Sequence, residues 1–257
     1  MRNVSTEDLA SANPPFRTPH STLNKCGALF VVATPIGNMS DITLRAIETL
    51  KTVSLIACED TRQTGKLLRH HRIRTPLTSL HEHNERVMAP QLIQQLRDGR
   101  SIALVSDGGT PLISDPGWRL VHDALAEQLP VTWIPGPTAC IGALVLSGLP
   151  TDRFAFEGFL PAKAVARRKR LEALRGEPRT VVLYESPHRL LRLLRELRDI
   201  LGNIRVSCAR ELTKMFEEIR RGQTSDLIAH FEQRLPRGEF TVVFRPGGEQ
   251  DEREELG

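Results

Sequence analysis

The sequence predicts an α/β protein built as two α/β domains with a ligand cleft between them. Three observations carry this. Short apolar runs of strand length alternate with longer segments of helical periodicity. The pattern breaks once, at Leu149-Pro150-Thr151-Asp152-Arg153, and then restarts. Most strand-like runs end in loops rich in glycine, proline or acid, where open α/β sheets bind their ligands. The expected division is residues 1–26 as a disordered extension, 27–150 and 151–246 as the two domains, and 247–257 as an acidic tail.

Taken in order, residues 28–33 (ALFVVA) read as a first buried strand. Asp41 then caps a helix that turns Ile42, Leu44, Ile47 and Leu50 toward the core. Residues 53–58 (VSLIAC) give a second strand, and 85–97 (ERVMAPQLIQQLR) a helix despite Pro90. A strand at 102–105, a helix at 118–128 and a strand at 131–134 follow. Pro137 and Thr138 open an apolar helix that runs to Leu146. This βαβα order favours a mostly parallel sheet. The second half offers strands at 154–157, 180–184, 205–209 and 240–244, with helices at 163–175, 190–201 and 224–233.

Composition narrows the class. The chain has 257 residues, 40% hydrophobic and 26% charged, enough to bury a sizeable core. No apolar run approaches the ~20 residues of a membrane span, and the first 25 residues lack a signal peptide's apolar stretch. Cys26, Cys58, Cys140 and Cys208 lie far apart. No metal site or redox pair is therefore expected, and reduced thiols in a cytoplasm are the simplest account. Net charge is +4, but the last nine residues hold five acids and one arginine, so the rest of the chain carries +8. That basic excess fits a polyanionic partner. With 9 Phe, 2 Trp and 1 Tyr, an extended base-stacking surface is not expected.

The loops carry the chemistry. The first strand leads into Thr34-Pro35-Ile36-Gly37-Asn38, which lacks the GxGxxG of dinucleotide sites and, with its proline, offers few donors to a pyrophosphate. The second leads into Glu59-Asp60-Thr61-Arg62. The third ends in Asp107-Gly108-Gly109-Thr110-Pro111, followed by Asp115-Pro116-Gly117. Paired glycines allow positive φ and close approach of a ligand to the backbone; Asp107 serves either that ligand or its own turn. Later loops are Pro135-Gly136-Pro137-Thr138-Ala139, Glu157-Gly158-Phe159-Leu160-Pro161 and Tyr184-Glu185-Ser186-Pro187-His188-Arg189. Arg167-Arg168-Lys169-Arg170 is a phosphate-binding candidate, because four adjacent cations are costly without an anion. Arg189, Arg192, Arg195 and Arg198 recur on one helix face, which also suits a plain solvated surface.

Taken together, TPIGN, EDTR, DGGTPLISDPG, PGPTA, GFLP, YESPHR and RELTKMFEE resemble the tetrapyrrole methylase family, the class III S-adenosylmethionine methyltransferases. The resemblance spans residues 28–245 and is strongest to the branch that methylates a ribose 2′-OH of a decoding-centre cytidine in 16S rRNA. It implies two α/β domains of the tetrapyrrole methylase type, a homodimer, and 16S rRNA or the small ribosomal subunit as partner. It also implies S-adenosylmethionine held at Pro35, Asp107, Gly108, Gly109, Thr110, Leu112, Thr138, Ala139, Tyr184 and Ala209. Substrate contacts are expected at Glu59, Asp60, Arg62, Arg167, Arg168, Arg170, Arg189 and Lys214. Methyl transfer to a hydroxyl requires alignment and a proton acceptor. Glu185 and His188 are the leading catalytic candidates, with Glu59, Asp60, Glu211 and Lys214 behind them. A corrin or modified-histidine methyltransferase, or a silent RNA-binding protein of the same fold, remains a rival.

Overall fold

The structure, a computed structural model, describes residues 26–247. The expected extension before residue 26 and the acidic tail beyond 247 lie outside the described residues. Two five-stranded sheets organise the chain. The first has the order β3-β2-β4-β1-β5, built from β1 (Leu29–Val32), β2 (Leu55–Cys58), β3 (Leu77–Ser79), β4 (Ile102–Leu104) and β5 (Val131–Ile134), every pair parallel. Its central strands are buried on both faces, which is why they read as unbroken apolar runs. Helices α1 (Leu44–Thr52) and α2 (Thr61–His70) pack one face through Ala46, Leu50, Leu67 and Leu68. Helices α3 (Glu85–Arg97) and α4 (Trp118–Ala126) pack the other through Leu92, Leu96 and Leu120. Each such large apolar side chain contributes roughly 1.5–3 kcal/mol on burial. Pro90 sits on the exposed side of α3, where water can satisfy the carbonyl it orphans.

The second sheet, β6-β7-β10-β8-β9, is mixed. Strands β6 (Phe154–Phe159) and β7 (Thr180–Glu185) are parallel, while β10 (Phe240–Phe244), β8 (Arg205–Arg210) and β9 (Glu218–Gln223) join antiparallel. Helices α6 (Ala164–Ala173), α7 (Pro187–Leu201) and α8 (Thr224–Gln233) cover the face that carries Val181, Leu183, Val242 and Phe244. The opposite face, with Val182, Ala209 and Val243, takes α5 (Ala139–Ser147) through Cys140, Ala143 and Leu144. Thus α5, which the sequence groups with the first half, is packed on the second sheet.

Several local expectations are corrected. Thr43, not Asp41, caps the first helix by accepting from Ala46 N, and Asp41 instead ends a 3-10 turn, Met39–Asp41. Leu44 consequently points to solvent. The elements α2, β3 and β9 were not anticipated. They carry too few apolar residues to stand out, and β9 is an edge strand with no fully buried side chain.

Candidate functional site

The carboxyl end of the first sheet faces the ends of β6, β7 and β8 and the start of β10 across one cavity of about 640 Å³, within the usual range for small-molecule sites. Its first-sheet wall is the loops after β1 and β4. Thr34 and Gly109 exchange backbone hydrogen bonds at 2.9 Å in both directions, and the Thr34 hydroxyl donates to Ser106 O at 3.2 Å. Gly109 has φ +92°, a conformation that L side chains rarely adopt. Leu112 and Ser114 are also left-handed, as are Glu211 and Thr213 on the opposite rim. Such backbone costs about 1–3 kcal/mol per residue and clusters at ligand sites.

The second-sheet wall is set by register. Thr241 lies between Tyr184 and Ala209, and all three line the cavity. Tyr184 OH accepts from Cys140 N at 3.3 Å, and the Thr110 and Thr138 hydroxyls meet at 2.7 Å, tying the glycine loop to the start of α5. Asn38 N donates to Thr213 Oγ1, and a Cβ on Gly37 would fall 2.3 Å from Lys214 Cγ. The loop after β8 is therefore pressed against the loop after β1, closing one end of the cleft.

Nine of the ten expected cofactor residues line this cavity: Pro35, Asp107, Gly108, Gly109, Thr110, Thr138, Ala139, Tyr184 and Ala209. Leu112 does not. Its left-handed backbone sends the side chain onto the cluster beneath α3 and α4. Among the expected substrate residues, Lys214 lines the cavity, bonded to Glu211 at 2.9 Å and Glu239 at 2.7 Å. Burial alone would lower the proton affinity of Lys214, but those carboxylates outweigh it and raise the net value. Asp60 caps α2 and grips Arg62, which together hold its carboxyl at about 2. Asp60 N in turn donates to Asp107 Oδ1 at 3.0 Å. Glu59 lies outside the lining, and burial with nearby Asp107 raises its pKa.

Two groups sit otherwise than expected. The basic run is not a row of unpaired cations. Arg167 is 1% exposed and bidentate to Glu196, Arg170 is bidentate to Glu157, and Arg168 approaches Asp199 at 3.8 Å. The anions that offset these charges are internal, because α6 packs along α7 and β6. Glu185 borders the cavity, but strand alternation puts its side chain on the face of Val181 and Leu183, away from Tyr184. Its Oε1 accepts from Ser186 N at 2.8 Å and lies 3.2 Å from Arg189 Nε, whose Nη2 donates to Leu160 O. Burial pushes the Glu185 pKa up, partly offset by that N–H and by Arg189. His188 is exposed on the first turn of α7 and is not in the lining.

Sequence reasoning passed over Ser106, Asp115, Phe159, Lys66 and Glu239, all in the lining. In the sequence Asp115 stands only as the start of the Asp115-Pro116-Gly117 turn. Burial pushes its carboxyl up to about 6, helped by Glu59 and Asp107 and opposed by a hydrogen bond from Ser106. An acid following a paired-glycine loop was the one available signal.

Comparison with known proteins agrees with this geometry. Residues 28–228 match the family described as tetrapyrrole (corrin/porphyrin) methylases. The chain is 51% identical over 226 residues to "Ribosomal RNA small subunit methyltransferase I" of Synechocystis sp., covering 88% of this chain and 81% of that one. It is 50% identical over 230 residues to the protein of the same name from Halalkalibacterium halodurans, covering 90% and 80%. Among solved structures, diphthine synthase superposes with a TM-score of 0.66 at 13% identity, over 85% of this chain and 89% of that one, a likeness of fold. The chain belongs to the tetrapyrrole (corrin/porphyrin) methylase family, and within it to the group that carries the name ribosomal RNA small subunit methyltransferase I.

Proposed function

We propose that the protein uses S-adenosylmethionine to methylate the ribose 2′-OH of a decoding-centre cytidine in 16S rRNA, acting in the cytoplasm on the small subunit or its RNA. The carrying observation is the convergence of the loops after β1, β4 and β5 on one cavity, with cations on its rim and relatives named for small-subunit rRNA. The residues present suit the cofactor. Gly108 lies so near Pro35 that a Cβ would sit 3.2 Å from the Pro35 carbonyl oxygen, leaving backbone rather than side chains to meet a ligand. Asp107 would supply negative charge to a sulfonium, and the amino end of α5 would favour a carboxylate. Bound there, S-adenosylmethionine supplies an electrophilic methyl group.

The protein's own residues then do the rest. Thr110, Thr138 and the bridged Thr34–Gly109 backbone hold a fixed wall, so orientation costs little at the moment of reaction. Lys66 on α2 presents a cation at the rim and Arg62 a second, exposed one on the same helix, where a phosphate backbone would pass. The outer face of α5 exposes Ile141, Val145 and Leu146, and edge strand β5 exposes Trp133, an apolar surface suited to a second copy of the chain. Offering small ribosomal subunits, naked 16S rRNA, a tetrapyrrole and a modified-histidine protein with methyl-labelled S-adenosylmethionine tests the reading. Label is expected in the ribosomal acceptors alone; label in either of the others contradicts it.

A further inference from the structure

We propose that Asp115 is the residue that accepts the 2′-OH proton. This rests on the functional reading above and names a catalytic group that the sequence did not suggest. Among the described residues, the titratable side chains of the cavity wall are Asp107, Asp115, Glu185, Glu211, Glu239, Tyr184 and two lysines, with no histidine. Glu211 and Glu239 are both bound to Lys214 Nζ, which holds Lys214 charged and unable to accept. Lys66 is exposed at the rim, bonded to Gln63. Burial keeps Tyr184 in its neutral form. Asp107 takes the Asp60 N–H, and Glu185 is turned toward Arg189 and α7. Asp115 is left.

Its position is built rather than incidental. Left-handed Leu112 and Ser114 bend the chain just before it, and Ser114 Oγ abuts Gly158 of β6, where a Cβ would fall at 2.9 Å. The residue is thus carried by the first sheet and braced against the second. The charged and titratable groups facing it are Glu59 at the end of β2, Asp107 on its own loop and Tyr184 on β7, with the Ser106 hydroxyl close by. A carboxyl of pKa about 6 is ionised at neutral pH yet basic enough to take a proton as it becomes acidic. In the balanced step the ribose oxygen bonds the methyl carbon and its proton passes to the Asp115 carboxylate. The carbon–sulfur bond breaks, its electron pair staying on sulfur as a neutral thioether.

The test is Asp115→Asn, assayed in single turnover on small ribosomal subunits with nucleoside analysis of the product. The rate is expected to fall about 100-fold or more, while calorimetric affinity for S-adenosylmethionine stays within about threefold. The wild-type rate should rise with pH through an inflection near 6, and the residual rate of the variant should lack that inflection. The protein alone gives a second readout. A folded-state pKa above the unfolded value makes the wild type lose stability as pH rises from about 4 to 7, because the native state then holds the extra proton. Asp115→Asn should remove that loss and melt at higher temperature at pH 7.5, which also shows that it folds. Wild-type turnover in the variant, or a loss lying wholly in cofactor affinity, overturns the assignment. A wild type that forms no 2′-O-methylcytidine overturns the functional reading instead, and the melting comparison tells the two failures apart.

Discussion

Arg167 and Glu196 form a buried bidentate ion pair, Nε to Oε2 at 2.6 Å and Nη2 to Oε1 at 2.8 Å, with Arg167 Nη1 also donating to Ala162 O at 3.0 Å. A guanidinium read from sequence as a phosphate ligand is instead a clamp between α6, α7 and the loop after β6. Removing one partner leaves the other charge buried alone. Arg167→Gln is therefore expected to destabilise the fold by about 3–5 kcal/mol in urea unfolding. The double change Arg167→Met with Glu196→Leu should recover most of that loss, and neither should alter the salt dependence of RNA binding. A stable Arg167→Gln protein with a reduced salt slope would return Arg167 to the RNA site.

Gly109 carries φ +92° and reciprocal backbone bonds to Thr34. Gly109→Val forces a branched side chain into that conformation, with Ile36 Cγ2 only 3.4 Å from its Cβ. Calorimetry should show S-adenosylmethionine affinity lowered at least tenfold, on the order of 1.4 kcal/mol, with circular dichroism unchanged. Undiminished affinity would move the cofactor away from this loop.

Charges on α2 should set the ionic part of RNA binding. Arg62 is 88% exposed although gripped by Asp60, and Lys66 stands at the cavity rim. Changing both to Gln should lower the slope of log affinity against log salt by about two, one per phosphate contact, while leaving cofactor affinity intact. An unchanged slope would direct attention to Arg192 and Arg198 on the exposed face of α7.

The α5 surface makes a separate prediction. Val145 is 68% exposed on a helix whose other side is core. Val145→Glu should leave the fold intact and shift sedimentation from dimer to monomer. A wild type that sediments as a monomer at micromolar concentration contradicts the dimer.

Where strands are buried on both faces, as at β1, β2 and β4, continuous apolar runs made them readable from sequence. Segment EIRRGQ forms β9 because β8 supplies a hydrogen-bonding edge, information that lies outside its own residues. The cavity loops were readable for a different reason: glycine, proline and acid at strand ends have few structural uses in such density. Which charges were free was not readable. The partners of Arg167 and Arg170 lie 29 and 13 residues away, and strand parity decides that Glu185 turns to α7 while Tyr184 faces the cleft. Asp115 owes its raised pKa to burial and to nearby Glu59 and Asp107, which no local pattern encodes.

The most direct measurement of the central claim is the identity of the modified nucleoside. Small ribosomal subunits from cells lacking this activity are treated with the protein and methyl-labelled S-adenosylmethionine, then the 16S rRNA is digested and analysed by mass spectrometry. Label is expected in one nucleoside, a cytidine methylated on its 2′-oxygen, and in none when Gly109→Val replaces the wild type. Label on a base carbon or nitrogen, or on a nucleoside other than cytidine, would contradict it.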